Sequence, residues 1–574
     1  MSDRPPTVSR LSRGVLAAAL IAVGLAACEA PEPEVSGAPP SIRRLTETQY
    51  RNTIADLFGP GIRFGGHFDP LVRTNGLLSV GARTARITPA GLEQYDRMAR
   101  TIAGQVVGEA NRGTLVPCVP AAASAPDDAC ATKFFAQVGR MLFRRPLTED
   151  EIALPVQTAR AGAATLGSFY DGLAAGLAGM LVNPSFLFVI EDTEPDPDAA
   201  GGLRLTAYAK AARLSYFLWN TTPDPALLDA AAAGELHTKA GLARQIDRML
   251  ASPQLDKGMR AFFTDMLAID DVDRLEKDSI IYPAFSAAVA RDAKEQTLRT
   301  ITHLVLDQDG DYRDIFTTRK TFISGPLGRI YRVPVTRPDG GWMAYEFPEG
   351  DPRAGLLTQV AFAALHSHPG RSSPTLRGKA VREALLCQRV PDPPGDVDFS
   401  LFNDPNSPNR TARERLTAHN EVPSCAGCHK LTDPIGLAME KIDGAGQLRD
   451  TEAGVPIDTS GDLDGVPYAD APGLGRAMRE NPAVPACVVN RLFAFGTGRA
   501  PQSDDNPVLA FYEQAFAESG YKVRSLLRMI ATSDAFFAIL PAEDEPSADG
   551  PAATNAHLNA PAADPAAAQT ESKS

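Results

Sequence analysis

The sequence lacks the motifs by which many enzymes are identified. It has no G-x-S-x-G nucleophile motif, no H-E-x-x-H zinc motif and no glycine-rich phosphate-binding loop. These absences argue against serine hydrolases of the α/β type, zinc proteases of that class and P-loop nucleotide-binding proteins. Any chemistry must therefore be carried by other residues.

Positive charge is also in short supply. The chain has 574 residues, with 57 Lys and Arg against 70 Asp and Glu, and a formal net charge of -13. A general nucleic-acid-binding protein would present a basic surface, so we expect no nucleic-acid partner. The charge balance is typical of a soluble, exported protein body.

Long hydrophobic runs are absent except near the N-terminus. Residues 15–27 form one apolar run, preceded by Arg4, Arg10 and Arg13. The run is too short for a membrane span, and its basic flank is typical of an export signal. No other stretch is apolar for long enough to cross a bilayer.

The apolar run ends in small residues directly before Cys28. This arrangement is typical of a bacterial lipobox, in which the cysteine becomes the lipid-bearing first residue of the mature protein. An ordinary signal peptide with a chance cysteine is the alternative. Because Glu29 rather than aspartate follows, we expect outer-membrane anchoring at Cys28, with the body in the periplasm or at the cell surface.

The central motif is the run CAGCH at residues 425–429. Two thiols, Cys425 and Cys428, followed at once by His429 form the attachment signature of a c-type haem. Each thiol can add to one porphyrin vinyl group, and the imidazole can bind the iron as proximal ligand. The motif therefore predicts one covalent haem c, in a compartment outside the cytoplasm.

Three alternatives to haem exist for CAGCH: a zinc pair, a redox dithiol and a chance match. A zinc site needs two further ligands, and a second C-x-x-C is absent. A thioredoxin-like dithiol needs a βαβ context, which the sequence does not show. The export signal also favours haem over these alternatives.

Seven cysteines are few for this length. After Cys28 and the two motif thiols, four remain, and an even remainder in an oxidising compartment favours two disulfides. Cys118 and Cys130 flank a short loop and are the natural local pair, which leaves Cys387 with Cys487. Four cysteines allow three pairings, however, and buried thiols are a further alternative.

The ligand opposite His429 is left open by the sequence. Met439 follows His429 by ten residues and is a distal candidate, although core packing is the role favoured for it. His366, His368 and His419 are other candidates. If none of them binds, the iron is five-coordinate and open to a small ligand or peroxide.

The rest of the pattern is helical. Thr46 with Gln49, and Thr148 with Glu151, form capping boxes before apolar residues at helical spacing. Strand signal is confined to residues 320–323 and the surroundings of Val466. We expect a mainly α protein made of several small helical bundles, with one cytochrome c-like haem segment and little β structure.

Several motifs resemble, in order, the domains of planctomycete-type multi-domain exported proteins of unknown function that contain a cytochrome-type domain. They are RLTETQYRNTIADLFG (44–59), FRRPLT (143–148), NPSFLF (183–188), RLSYFLW (213–219), SP and RG (373–374 and 377–378), CAGCHKLTDPIGLAMEKID (425–443), GTGR (496–499) and SDAF (533–536). The resemblance covers about residues 41–540. It implies an exported protein with one c-type haem and no established activity.

The sequence then divides as follows. We expect a lipoprotein signal peptide (1–28), a disordered spacer (29–40), helical domains (41–110, 111–200 and 201–345), a cytochrome-type domain (346–450), a C-terminal helical domain (451–540) and a disordered tail (541–574).

Three functions fit these features. The first is electron transfer by a lipid-anchored haem protein, with a redox partner protein and an unidentified activity in the helical domains. The second is a haem enzyme, peroxidase-like or oxidising an extracytoplasmic substrate, with an open iron site and a cleft between domains. The third is a surface-binding or scaffold protein in which haem is structural.

Overall fold

The structure is a computed structural model that describes residues 31–35, 37–337, 341–391, 408–421 and 423–540. Helices dominate it, and strands occur only in small sheets. The predicted mainly α class is therefore confirmed. The predicted signal peptide with Cys28 and the predicted tail after Leu540 lie outside the described residues.

The helices run through the whole described chain. The α-helices up to residue 302 are Glu47–Phe58, Leu78–Gly81, Pro89–Val107, Arg112–Leu115, Asp128–Leu142, Glu149–Leu166, Phe169–Leu181, Pro184–Leu187, Ala207–Leu218, Pro225–Ala232, Lys239–Leu250, Gln254–Met266 and Ala287–Thr302. Those after it are Gly325–Tyr331, Val360–Leu365, Pro374–Ala380, Ala412–His419, Pro423–Leu437, Ala471–Glu480, Ala483–Thr497, Asn506–Glu518 and Val523–Thr532. Short 3-10 helices span Glu235–His237, Ile269–Arg274, Tyr312–Phe316, Leu356–Thr358 and Ser503–Asp505, and π-helical turns span His303–Asp307 and Val381–Leu385.

The strands of the described residues form antiparallel pairs. The pairs are Ile42–Arg44 with Phe188–Ile190, Thr193–Pro195 with Leu203–Leu205, Lys320–Ile323 with Met343–Glu346, Ser367–His368 with Arg371–Ser372, Thr451–Glu452 with Val455–Pro456, and Gly461–Leu463 with Val466–Tyr468. In the first pair Arg44 lies opposite Phe188. The strand signals at residues 320–323 and at Val466 both correspond to real strands.

The predicted helix starts have a local cause. The hydroxyl of Thr46 accepts a hydrogen bond from the Gln49 amide, and the Gln49 side chain accepts one from the Thr46 amide. Thr148 and Glu151 form the same reciprocal pair. Each box satisfies amide groups that the first helical turn cannot pair internally.

Most of the buried apolar side chains form two large cores, and the small third cluster is described with the site below. One core spans Leu45 to Tyr216, and the other spans Leu205 to Phe537 and also takes in Leu77 and Val80. Short amphipathic helices bury too little surface alone, so they share apolar faces across the expected domain boundaries.

Described residues of the predicted spacer (29–40) contact the last described residues of the chain. Ala38 is buried and forms a bridge with Ile539, and the Leu540 amide donates to the Ala38 carbonyl at 3.1 Å. The Glu32 carboxylate accepts from the Ala535 amide at 3.2 Å. A composition rich in proline and alanine therefore did not prevent packing, because residues of this segment form hydrogen bonds with the last described residues.

Both expected disulfides are present. Cys118 is bonded to Cys130, and Cys387 is bonded to Cys487, with Cα atoms 5.6 and 5.3 Å apart. The second bond joins residues 100 positions apart and ties the segment before the CAGCH motif to the helix Ala483–Thr497. In the residues that the structure describes, no helix combines the length and the apolar character needed to cross a membrane.

Candidate haem attachment site

The CAGCH motif lies on the helix Pro423–Leu437, called here the motif helix. Cys425, Cys428 and His429 are spaced three and four residues apart, which places them on one helix face. All three line a single cavity of about 350 Å³. Both cysteines are half-buried thiols in this structure. The structure thus brings the predicted attachment residues together at one opening.

The His429 ring is oriented by a carboxylate one helical turn further on. Its Nδ1 lies 2.8 Å from Oδ2 of Asp433, which is buried. The other oxygen of Asp433 accepts from the hydroxyl of Thr375 at 2.8 Å. Because an ionised carboxylate only accepts, Nδ1 carries the proton, and the Nε2 lone pair is left for a metal.

A second helix, Pro374–Ala380, supports the motif helix and is called the buttress helix. The two helices meet through glycines. A Cβ on Gly378 would lie 1.9 Å from the Thr432 carbonyl oxygen, and one on Gly436 would lie 1.8 Å from that of Pro374. Only residues without a Cβ allow this approach, which places Thr375 beside Asp433.

The buttress helix also carries a fully buried arginine. Arg377 donates to the carbonyls of Met439 at 2.9 Å, Ile442 at 2.7 Å and Asp443 at 2.7 Å. Glu440, buried beside it, also binds Arg449 at 2.7 Å. Burial raises the pKa of Glu440, and the two arginines oppose that effect. Arg377 thus fixes the chain that leaves the motif helix.

A third helix, Ala412–His419, lies against the motif helix and is called the facing helix. It packs through the small cluster Ala412, Leu416 and Leu437, separate from both large cores. Glu452 fastens it at two points, accepting from the Ala412 amide at 2.7 Å and pairing with Arg415 at 2.5 Å.

The facing helix ends in His419, whose ring lies beside that of His429. The two ring centroids are 4.7 Å apart and the ring planes are inclined by 75°. Burial lowers the pKa of His419, and the neighbouring His429 lowers it further. His419 also lines the cavity with the two motif thiols.

The other axial candidates lie elsewhere. Met439 is buried in the larger core and is not among the residues that line the cavity. His366 packs on Phe362 with ring centroids 4.7 Å apart, and it too is outside the cavity lining. His368 lines the cavity but is exposed.

The residues present fit a covalently attached haem. Two thiols and one imidazole with an available Nε2 are the donors that c-type attachment needs. Apolar side chains and cations line the same cavity: Leu376, Val390, Leu416, Arg371, Lys379, Arg415 and Arg449. Among the described residues no group of three or more His, Cys, Asp or Glu side chains is arranged to hold a metal ion.

A second, polar cleft of about 800 Å³ lies away from the motif. Its charged lining residues are Glu47, Asp69, Asp265, Asp270, Asp271, Asp273, Arg51, Arg73, Lys257, Arg260, Arg274 and Lys294. Arg73 pairs with Asp265 at 2.5 Å and also with Asp270, whose pKa burial raises. These ion pairs connect the N-terminal part of the chain to the segment around Asp265.

Sequence reasoning missed two residues that hold the site in place. Asp433 stands four positions after His429, and this helical spacing is a signal that could have identified it. Glu452 has no comparable signal, because it reaches the facing helix only through the fold.

Comparison with protein families finds five models, each described as a protein of unknown function. They match residues 43–108 (DUF1587), 130–191 (DUF1595), 205–333 (DUF1592), 353–452 (DUF1588) and 464–536 (DUF1585). This set of domains is typical of planctomycete-type multi-domain proteins of unknown function. No curated protein and no solved structure matches the chain.

Proposed function

We propose that this protein carries one covalent haem c at Cys425 and Cys428 and serves in electron transfer outside the cytoplasm. The observation that supports this most is the cavity in which both thiols and His429 lie together, with Nδ1 of His429 held by Asp433. A haem in this cavity supplies a one-electron iron couple.

The residues of the chain have distinct tasks in this proposal. Each thiol would add across one vinyl group: the S–H bond would break, C–S and C–H bonds would form, and no external oxidant would be consumed. His429 would bind the iron through Nε2. Asp433 is a positioning residue that fixes the orientation and the tautomer of the His429 ring.

The proposed location follows from the N-terminal sequence. An export signal ending at Cys28 would place a lipid on that residue and hold the protein at the bacterial envelope, with the outer membrane favoured. That compartment is where cytochrome c-type attachment takes place and where disulfides such as Cys387–Cys487 persist. A redox partner protein would exchange electrons with the haem there.

A haem enzyme is the second candidate function, and Asp433 favours it. A carboxylate on the proximal histidine makes the ring a stronger electron donor to iron, which suits peroxide activation. The unidentified activity of the helical domains has a natural location in the polar cleft beside Arg73. The CAGCH residues are not among those that line this cleft.

The test is expression of the full chain together with the c-type haem maturation system. Electrophoresis under denaturing conditions with haem staining shows whether the haem is covalent. We expect covalent haem in the natural sequence, loss of one attachment bond in Cys425→Ala, and loss of all covalent haem in the variant that also carries Cys428→Ala.

The matched control is the pair Cys118→Ala and Cys130→Ala, which removes two cysteines outside the motif. It should keep the haem stain. A natural protein without covalent haem would refute the proposal. Covalent haem whose spectrum responds to peroxide and cyanide would favour the enzyme over the carrier.

A further inference from the structure

We infer that His419 is the second axial ligand of the iron, so that two histidines hold the haem from opposite faces. This inference rests on the proposed function and deepens it. It concerns which residue of the chain lies across from His429, and hence whether the iron has an open position.

The geometry around His429 carries the inference. The His419 ring is its imidazole neighbour, with centroids 4.7 Å apart, and both rings line the cavity that also holds Cys425 and Cys428. With Nδ1 of His429 held by Asp433, the nitrogen left for iron is Nε2. The structure thus gathers two imidazoles and two thiols at one opening.

The competing candidates do not share this position. The Met439 side chain is 1% exposed and belongs to the larger core, away from the cavity lining. His366 packs against Phe362. His368 lines the cavity, but its side chain is exposed. Its backbone carbonyl accepts a hydrogen bond from Lys277 at 3.1 Å, which holds this segment in place.

The facing helix can make room for the haem. A metal between two imidazoles, with bonds of about 2 Å to each nitrogen, needs ring centres farther apart than the observed contact. The facing helix packs through a small apolar cluster and is fastened by Glu452 and by Arg413, which donates to the carbonyls of Asp458 and Ser460. Its apolar contacts lie outside both large cores, so an outward shift would open neither of them.

Two histidine ligands have a functional consequence. They fill both axial positions and leave no place for peroxide, which favours electron transfer over peroxidase chemistry. They also set a lower reduction potential than a histidine and methionine pair, because methionine ligation raises the potential.

The experiment uses the full chain matured with haem, in the natural form and as His419→Ala, His419→Met, His368→Ala and Met439→Leu. Electron paramagnetic resonance and absorption spectra report the spin state, and redox titration reports the potential. We expect a low-spin natural protein, a high-spin His419→Ala protein that now binds cyanide, and a higher potential in His419→Met. His368→Ala and Met439→Leu should match the natural protein.

Three results would overturn the inference: a high-spin natural protein, a low-spin His419→Ala protein, or a spin change in His368→Ala or Met439→Leu instead. If His419→Ala fails to fold, the potential of His419→Met decides alone, and an unchanged value refutes the inference. Absence of covalent haem from every form refutes the proposed function itself, an outcome distinct from haem that is bound without His419.

Discussion

At the scale of single residues, the motif cavity depends on polar side chains that orient the His429 ring by hydrogen bonding. Asp433 is the clearest case, because its two oxygens serve different partners. One accepts from His429 and the other from Thr375, on a second helix. The orientation of His429 is therefore set by contacts from both its own helix and a neighbour.

Replacing Asp433 with asparagine should raise the reduction potential of the haem-loaded protein. The amide is neutral and gives less electron density to His429, so oxidised iron is stabilised less. A tenfold change in the relative affinity for the two iron states corresponds to about 60 mV, which is the expected scale in a redox titration. Asp450→Asn, at an exposed position that follows the cavity-lining Arg449 in sequence, is the control and should leave the potential unchanged.

His366 should make the stability of the protein depend on acidity. Burial, together with nearby Arg377 and Lys277 and against the opposing effect of Asp271, lowers the pKa of its ring to about 4. The unfolded chain binds this proton near pH 6.5. Stability is therefore lost as the pH falls from about 6.5 toward 4.

In the His366→Gln protein this part of the acid dependence should vanish. Unfolding by urea at pH 7 and pH 5 measures the difference between the two proteins. Between pH 7 and pH 5, we expect the free energy of unfolding of the natural protein to fall by roughly 1–2 kcal/mol more than that of the variant. The effect is no larger because solvent partly screens the half-buried ring. An equal loss in both would show that His366 does not cause the effect.

At the scale of elements, the close contact of the motif and buttress helices is the critical feature. The contact needs Gly378 and Gly436, since a Cβ at either would overlap a carbonyl oxygen of the other helix. Apolar patterning gives no indication of this requirement, because glycine has no side chain to pack.

Gly436→Ala should therefore separate the two helices. We expect a loss of more than about 2 kcal/mol in the free energy of unfolding, together with weaker haem incorporation. Gly427→Ala is a matched control on the same helix, where a new Cβ meets nothing within 4 Å. It should be neutral or stabilising by about 0.5–1 kcal/mol, and equal destabilisation by both variants would show that the close approach is not the cause.

Glu452 holds the facing helix in place through the Ala412 amide and Arg415. Glu452→Gln removes the charge that pairs with Arg415 and weakens the bond to the Ala412 amide. We expect the haem-loaded variant to show a mixture of low-spin and high-spin iron, because His419 is held less firmly. Glu480→Gln, on another helix, provides the comparison, and a fully low-spin Glu452→Gln protein would contradict this role.

At the scale of the whole molecule, one disulfide joins segments that the sequence separates widely. Cys387–Cys487 closes a segment of 100 residues, whereas Cys118–Cys130 closes one of 12. In the chain-entropy model the longer loop stabilises more, by about 4–5 kcal/mol against about 3 kcal/mol.

Replacing both Cys387 and Cys487 with alanine should accordingly cost more stability than replacing both Cys118 and Cys130. Denaturant unfolding of the two double variants under oxidising conditions measures the costs. If the short-loop variant proved the less stable of the two, loop entropy would not be the dominant effect.

Much of the element pattern could be predicted from local sequence. Capping boxes at Thr46 and Thr148 marked helix starts that the structure confirms. These features depend on neighbours within four residues, so the sequence contains their whole cause. The pooled cores were not predictable, since they depend on which helix faces meet.

The sequence by itself determined the candidate donors, because the order of residues fixes the spacing of Cys425, Cys428 and His429. Only the tertiary structure decided what surrounds them. It placed Asp433 on His429 and Thr375 on Asp433, brought His419 rather than Met439 beside the His429 ring, and buried Met439 in the larger core. The physical reason is that a donor set follows from covalent spacing, whereas contacts between helices follow from close packing over the whole chain.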